Sequence, residues 1–133
     1  YKAGLGLNEG WKFGRSLTGF MRLNVACPRS VLEKALDAAC AVPLEVMEKC
    51  AEGIALAEQY AAKGSVLADA GCAAVLCKAA LQAASLNVFI NTKLMADRAR
   101  AAALDARADA LLAEFVPRAD EVFSAVSGKL RNK

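Results

Sequence analysis

From Cys27 onward, apolar and small residues return at steps of three and four, the period of a helix that buries one face. Pro28 suits the first turn of such a helix, and the set Val31, Ala35, Ala38, Ala39, Val42, Val46, Cys50, Ile54, Ala57 and Ala61 predicts its buried side. Pro43 lies inside this run and removes a backbone donor, which predicts a kink or a break near Val42. Lys63-Gly64-Ser65 reads as a boundary, with Gly64 suited to the left-handed conformation and Ser65 to capping the next helix.

The next helix is predicted over about Val66 to Ala96 and carries two apolar stripes. One runs through Leu67, Ala70, Ala74, Cys77, Leu81, Ala84, Val88, Asn91 and Met95. The other runs through Asp69, Ala73, Leu76, Ala80, Ala83, Asn87, Ile90 and Leu94. With only Asp69, Lys78 and Lys93 charged, most of its circumference is expected to face protein, and the alanines favour tight bundle or subunit packing. A last helix, about Asp97 to Val126, alternates charges with Leu104, Ala108, Leu111, Leu112, Phe115, Val122 and Phe123. Pro117 should bend or break it, and Gly128 should finish it. The predicted fold class is all-α, an antiparallel helical bundle with long alanine-rich helices.

Residues 1–30 differ, with Gly4, Gly6, Gly10, Gly14 and Gly19 scattered among basic and aromatic residues. Long regular helix is disfavoured before about Leu17, and a short one from Ser16 toward Val25 is allowed. Trp11, Phe13 and Phe20 fit either packing onto the bundle or a partner-binding patch. At 133 residues the chain is expected to form one domain, 1–133, with 1–30 as an atypical segment and 31–127 as the helical core.

Composition narrows the chemistry. The 17 basic residues against 14 acidic ones give +3, and the excess sits in residues 1–30, too diffuse to suggest a nucleic-acid partner. There is no histidine, so Ser-His-Asp and Cys-His pairs and HExxH metal helices are excluded. The five cysteines, Cys27, Cys40, Cys50, Cys72 and Cys77, form no CxxC pair and read as buried free thiols, which predicts no metal site and a cytoplasmic location. No signal peptide is visible at the start. The uncharged stretch Ala79 to Thr92 is shorter than the ~18–20 apolar residues of a membrane span, so no membrane partner is expected.

Three segments go beyond periodicity: VPLEV at 42–46, ADAG at 68–71 and LNVFIN at 86–91. Together, in order and at this spacing, they resemble the cyclodeaminase or methenyltetrahydrofolate cyclohydrolase domain of the formiminotransferase-cyclodeaminase family, over about residues 32 to 125. The family's SDAG reads ADAG here, with Ala68 in place of serine. Its glycine-rich GGGS start has no counterpart in residues 1–30, which points to a truncated, rearranged or remodelled member. The resemblance implies a helical homodimer that handles one-carbon units on tetrahydrofolate, a substrate, with no separate cofactor. Members close the formimino group of 5-formiminotetrahydrofolate with loss of ammonia, or interconvert 5,10-methenyl- and 10-formyltetrahydrofolate with water. The alternative from another class is a non-catalytic helical oligomer derived from that family.

Asp69, in the first turn of the central helix, is stabilised there by the helix dipole. With the resemblance, it becomes the candidate catalytic residue, for proton transfer or amidine binding. Asn87 and Asn91 are candidate substrate-binding residues, and inter-helix hydrogen bonding is the competing role for both. Lys93 either pairs with a folate glutamate tail or marks the helix end. Lys78 reads as a snorkelling surface lysine. Asp69 and Asn87 share a face but lie ~27 Å apart along one helix, so a single site using both needs a second subunit.

Overall fold

Backbone contacts divide the chain into two units, Tyr1–Lys34 and Ala35–Lys133. The structure, a computed structural model, describes residues 28–132 and two short strands before them. In the first unit, β1 (Leu7–Glu9) pairs antiparallel with β2 (Met21–Leu23), Asn8 standing opposite Arg22. The helix allowed from Ser16 toward Val25 is therefore wrong at residues 21–23, where a ladder with 7–9 satisfies backbone groups that a helix would have satisfied internally. Trp11, Phe13, Phe20 and Cys27 lie outside the described residues.

Three helices follow: α1 (Arg29–Lys63), α2 (Leu67–Leu94) and α3 (Arg98–Arg131). The Pro28 carbonyl opens α1 by accepting from the amides of Val31 and Leu32. Paired positions reveal the topology of the Ala35–Lys133 unit. Asp37 pairs with Arg100 and Glu58 with Arg118, so α1 and α3 advance in the same direction. Thr92 pairs with Asp105 and Lys78 with Asp120, so α2 runs against α3. The result is an up-down-up bundle, and the expected all-α antiparallel architecture holds.

Neither internal proline breaks its helix. α1 runs through Pro43 and α3 through Pro117, contrary to the breaks considered for each. Each proline removes one backbone donor. Buried residues on either side, Cys40 and Leu44 on α1 and Ala108 and Ala119 on α3, hold the flanking turns in place. α3 also passes Gly128, whose carbonyl accepts from Asn132 N, so that glycine does not end the helix.

The buried faces differ in part from those expected. On α1, Leu36, Cys40, Leu44, Met47, Ala51, Ile54, Ala57 and Ala61 are buried, whereas Val42 and Val46 are exposed. Val42 and Val46 belong to a second apolar row that is rotated away from the core. On α2 the stripe containing Ala70, Ala74, Leu81, Ala84 and Val88 is buried, as expected. The other stripe faces outward: Leu76 is 69% exposed, Ile90 55% and Leu94 63%. Much of the circumference of α2 is therefore uncovered by the described residues. By length and composition alone α2 is apolar enough to cross a membrane, with a mean hydropathy of 1.6.

Between α2 and α3, Gly71 removes the atoms that would crowd Val126: a Cβ there would stand 3.0 Å from Val126 Cγ1. Between α1 and α2, Gly53 leaves room for the Cys77 sulfur, which a Cβ would meet at 2.8 Å. The α1–α3 side is closed by charge. Arg100 Nε donates to Asp37 at 2.6 Å, Arg107 pairs with Glu48, and Arg118 binds Glu58 at 2.6 Å as well as Glu114 on its own helix at 2.9 Å. Such exposed pairs contribute little each, about 0–1 kcal/mol, but they fix the register of the two helices.

Candidate functional site

The first turn of α2 begins with a strained residue. Gly64 takes the left-handed conformation, φ 75°, and ends α1, as its sequence context predicts. Val66 then occupies the N-cap with φ 47° and ψ 42°, and no side chain caps the helix, so Ser65 does not have the capping role expected of it. A β-branched residue in this region costs about 1–2 kcal/mol. The opening turn thus lacks a side-chain cap, and Asp69 is its one acidic residue, at the positive end of the helix dipole.

Asp69 is exposed and lines a groove of about 260 Å³ between the end of α1 and the start of α2. The walls are almost wholly apolar, formed by Leu56, Ala57, Val66 and Ala73, and Asp69 and Tyr60 are the residues with polar groups among those that line it. Lys63 stands beside this ring, its Nζ 5.5 Å from the ring centre. Cys77 lines the far end of the groove over Gly53. An acidic residue and an aromatic one thus border an apolar groove, with the Lys63 ammonium close to the aromatic ring. Tyr60 and Lys63 were missed in the sequence because nothing in the local pattern distinguishes a groove tyrosine from a packing one.

The other candidates lie elsewhere. Asn87 is exposed and Asn91 is half-buried. Their side-chain amides donate to carbonyls one turn back on α2, Asn87 to Ala83 at 3.3 Å and Asn91 to Asn87 at 2.7 Å. The inter-helix bonds considered for them are absent among the described residues, because the helix itself supplies acceptors within reach. Lys93 is exposed in the last turn of α2. The unbroken course of α2 keeps Asp69 away from all three within one chain, as the spacing requires. Lys78 is no free snorkelling lysine: it donates to Asp120 on α3 at 2.6 Å.

The thiols are less uniform than expected. Cys40 is buried, Cys50 and Cys77 are half-buried and Cys72 is exposed, all four free. Burial pushes the Cys40 thiol above its ordinary value, nearby Asp37 and Asp105 add to the effect, and Arg100 opposes it. Burial also raises Cys50, with Cys77 as the second cause. Cys72 lies in a second, larger groove of about 490 Å³ between α2 and α3, walled by Val75, Leu76, Phe123 and Leu130. Like the Asp69 groove it is almost wholly apolar, but its charged lining residue is Arg131 and no acidic residue lines it.

Comparison with known proteins gives these positions a context. The sequence profile of the formiminotransferase-cyclodeaminase family matches residues 25–110, which include α2, Asp69 and all three of the other candidate side chains. A methenyltetrahydrofolate cyclohydrolase from Methylorubrum extorquens is 38% identical over 101 residues, 74% of this chain. The chain spans about half the length of that curated relative, 49%. The motifs at 42–46, 68–71 and 86–91 all fall inside the matched profile, and the chain belongs to the formiminotransferase-cyclodeaminase family.

Proposed function

We propose that this chain is a folate one-carbon enzyme domain whose reacting group is Asp69 in the α1–α2 groove. The observation that carries the reading is the position of Asp69: the acidic residue of the family-like ADAG segment opens onto a groove with an apolar floor. The activity for which the Methylorubrum relative is named favours hydrolysis of a methenyl bridge over deamination. In that reaction water adds to the carbon joining two folate nitrogens, one carbon–nitrogen bond breaks, and a formyl group remains on the other nitrogen. Asp69 would accept one proton of the attacking water and pass it to the leaving nitrogen as the ring opens, while the second proton of that water is released to solvent and balances the positive charge of the bridge. A carboxylate also suits the positive charge of the bridge before attack. The chemistry calls for no cofactor beyond the folate substrate.

The same reading takes the chain as a homodimer. The outward stripe of α2 mirrors itself about its midpoint between Leu81 and Gln82. In an antiparallel pairing of two α2 helices, Ala73 would face Ile90, Leu76 would face Asn87, Ala80 would face Ala83, and Asp69 would meet Leu94 with Lys93 beside it. Small residues at the crossing allow close approach, and a two-fold axis repeats each contact. Asn87, Asn91 and Lys93 of a second copy would then reach the Asp69 end as substrate-binding groups. Burial of this stripe between copies is proposed in place of a membrane, because Lys78 is tied to Asp120 in the middle of α2. A cytosolic location without a nucleic-acid partner completes the proposal, on the free thiols and the small net charge.

The test is loss of methenyl absorbance on adding 5,10-methenyltetrahydrofolate to the purified chain, with 5-formiminotetrahydrofolate run in parallel. Asp69→Asn should lower turnover about a hundredfold or more while melting is unchanged, the scale of a removed acid–base group. An inactive wild-type chain that still sediments as a helical oligomer would support the non-catalytic alternative. Ala80→Glu should convert a dimer to monomers; a monomeric wild-type chain would refute the pairing.

A further inference from the structure

The Asp69 groove contains an aromatic side chain to which the proton transfers above assign no task. Tyr60 lies near the end of α1, 42% exposed, and lines the groove together with Asp69. Lys63, one turn further along, holds its ammonium 5.5 Å from the ring centre. The ring therefore already serves as a seat for a cation, and the occupant sits at the tip of a flexible stem in the last turn of its helix. At about 260 Å³ the groove accommodates a flat ring system better than a whole folate with its tail, since sites that enclose drug-sized ligands run to ~300–1,000 Å³.

A methenyl bridge is planar and carries a positive charge spread over two nitrogens and a carbon. We propose that Tyr60 is the substrate-positioning residue of this groove, its ring taking the cationic plane of a methenyl-type folate as it now takes the Lys63 ammonium, with Asp69 as the neighbouring carboxylate. The proposal rests on the reading of the Asp69 groove as the folate site. The two groups act differently on the ligand. The carboxylate attracts any cation and accepts a proton, whereas the ring favours a flat cation that can lie against it, and so fixes the orientation of the bridge. Lys63, close to the ring but not part of the groove wall, is in reach of the anionic tail of the same ligand.

Equilibrium titration of the full chain with 5,10-methenyltetrahydrofolate and with 5-formyltetrahydrofolate, which lacks the cationic bridge, tests this directly. Tyr60→Leu should weaken the methenyl ligand about tenfold and the formyl ligand less than about threefold, with KM rising more than kcat falls. Tyr60→Phe, which keeps the ring, should stay within about twofold of wild type. Tyr60 is exposed, so both variants should melt like wild type. Equal weakening of both ligands by Tyr60→Leu, or none, overturns the proposal while leaving the Asp69 reading intact. A wild-type chain that binds neither ligand overturns both.

Discussion

Thr92 and Asp105 are joined across the α2–α3 turn by a 2.6 Å hydrogen bond from the threonine hydroxyl to the carboxylate, with Thr92 buried to 1% exposure. Around them, Arg98 donates to the carbonyls of Thr92 and Met95, and Asp97 accepts from Arg100 N to cap α3. The turn thus depends on side chains from both helices. Thr92→Val keeps the shape but removes the donor, and should cost about 1.5–3 kcal/mol, the range for a hydrogen bond to a charged group. Thr92→Ser should retain most of the stability. Chemical denaturation of the single variants and of Thr92→Val combined with Asp105→Asn should show strong coupling between the two sites; additive losses would show that the pair does not interact.

The contact between Gly53 and Cys77 predicts a change of sign. Gly53→Ala alone drives a methyl group into the Cys77 sulfur and should destabilise the bundle or leave it unchanged. In a Cys77→Ala background the space is free, and the same substitution should stabilise by ~0.5–1 kcal/mol through helix propensity. Thermal melts of the four proteins decide it, and the same sign in both backgrounds would contradict the contact.

Val66 is strained and mostly exposed, so replacing it removes little buried area. Val66→Asn should raise stability by about 1 kcal/mol, since asparagine tolerates the left-handed region that valine resists. A melting temperature that falls would mean that the valine contacts outweigh its backbone strain.

Stability should also respond to alkaline pH. Cys40 and Cys50 are held above the ordinary value of 9.0 in the folded chain, so the unfolded thiols lose their protons first as pH rises. The contribution is complete below the unfolded value and is lost as pH climbs through the folded one. Melting temperature should be nearly flat from about pH 7 to 8 and should fall above about pH 9. Cys40→Ala should lower the plateau and flatten the fall. Under native conditions, Cys72 should react with a thiol reagent well before Cys40, which is buried.

Most of the helical architecture is legible in the sequence because Leu81, Ala84 and Val88 recur at steps that only a helix brings to one face. The Gly64 boundary is legible for a similar reason, since few residues accept its backbone angle. The orientation of α1 is not, because Val42 and Val46 make a row as apolar as the one through Leu44 and Met47, and only the neighbouring helices choose between them. Pro43 and Pro117 mislead in the opposite way: local cost argues for a break, and packing beyond the local window overrides it. At the candidate site, Asp69 stands out in the sequence through its motif and its helix turn. Tyr60 and Lys63 are not, because what distinguishes them is the groove that α1 and α2 make together.

The uninterrupted course of α2 also makes the molecule two-ended. The Asp69 groove and the Thr92 lock sit at opposite ends of one rod, ~35 Å apart at 1.5 Å per residue. Perturbations that far apart with no shared partner add rather than cooperate. Within one chain, damage at the turn should therefore be silent in the groove so long as the rod stays folded; in the proposed antiparallel pair, the turn of the second copy is the end that comes beside the groove, and only there should the two be coupled.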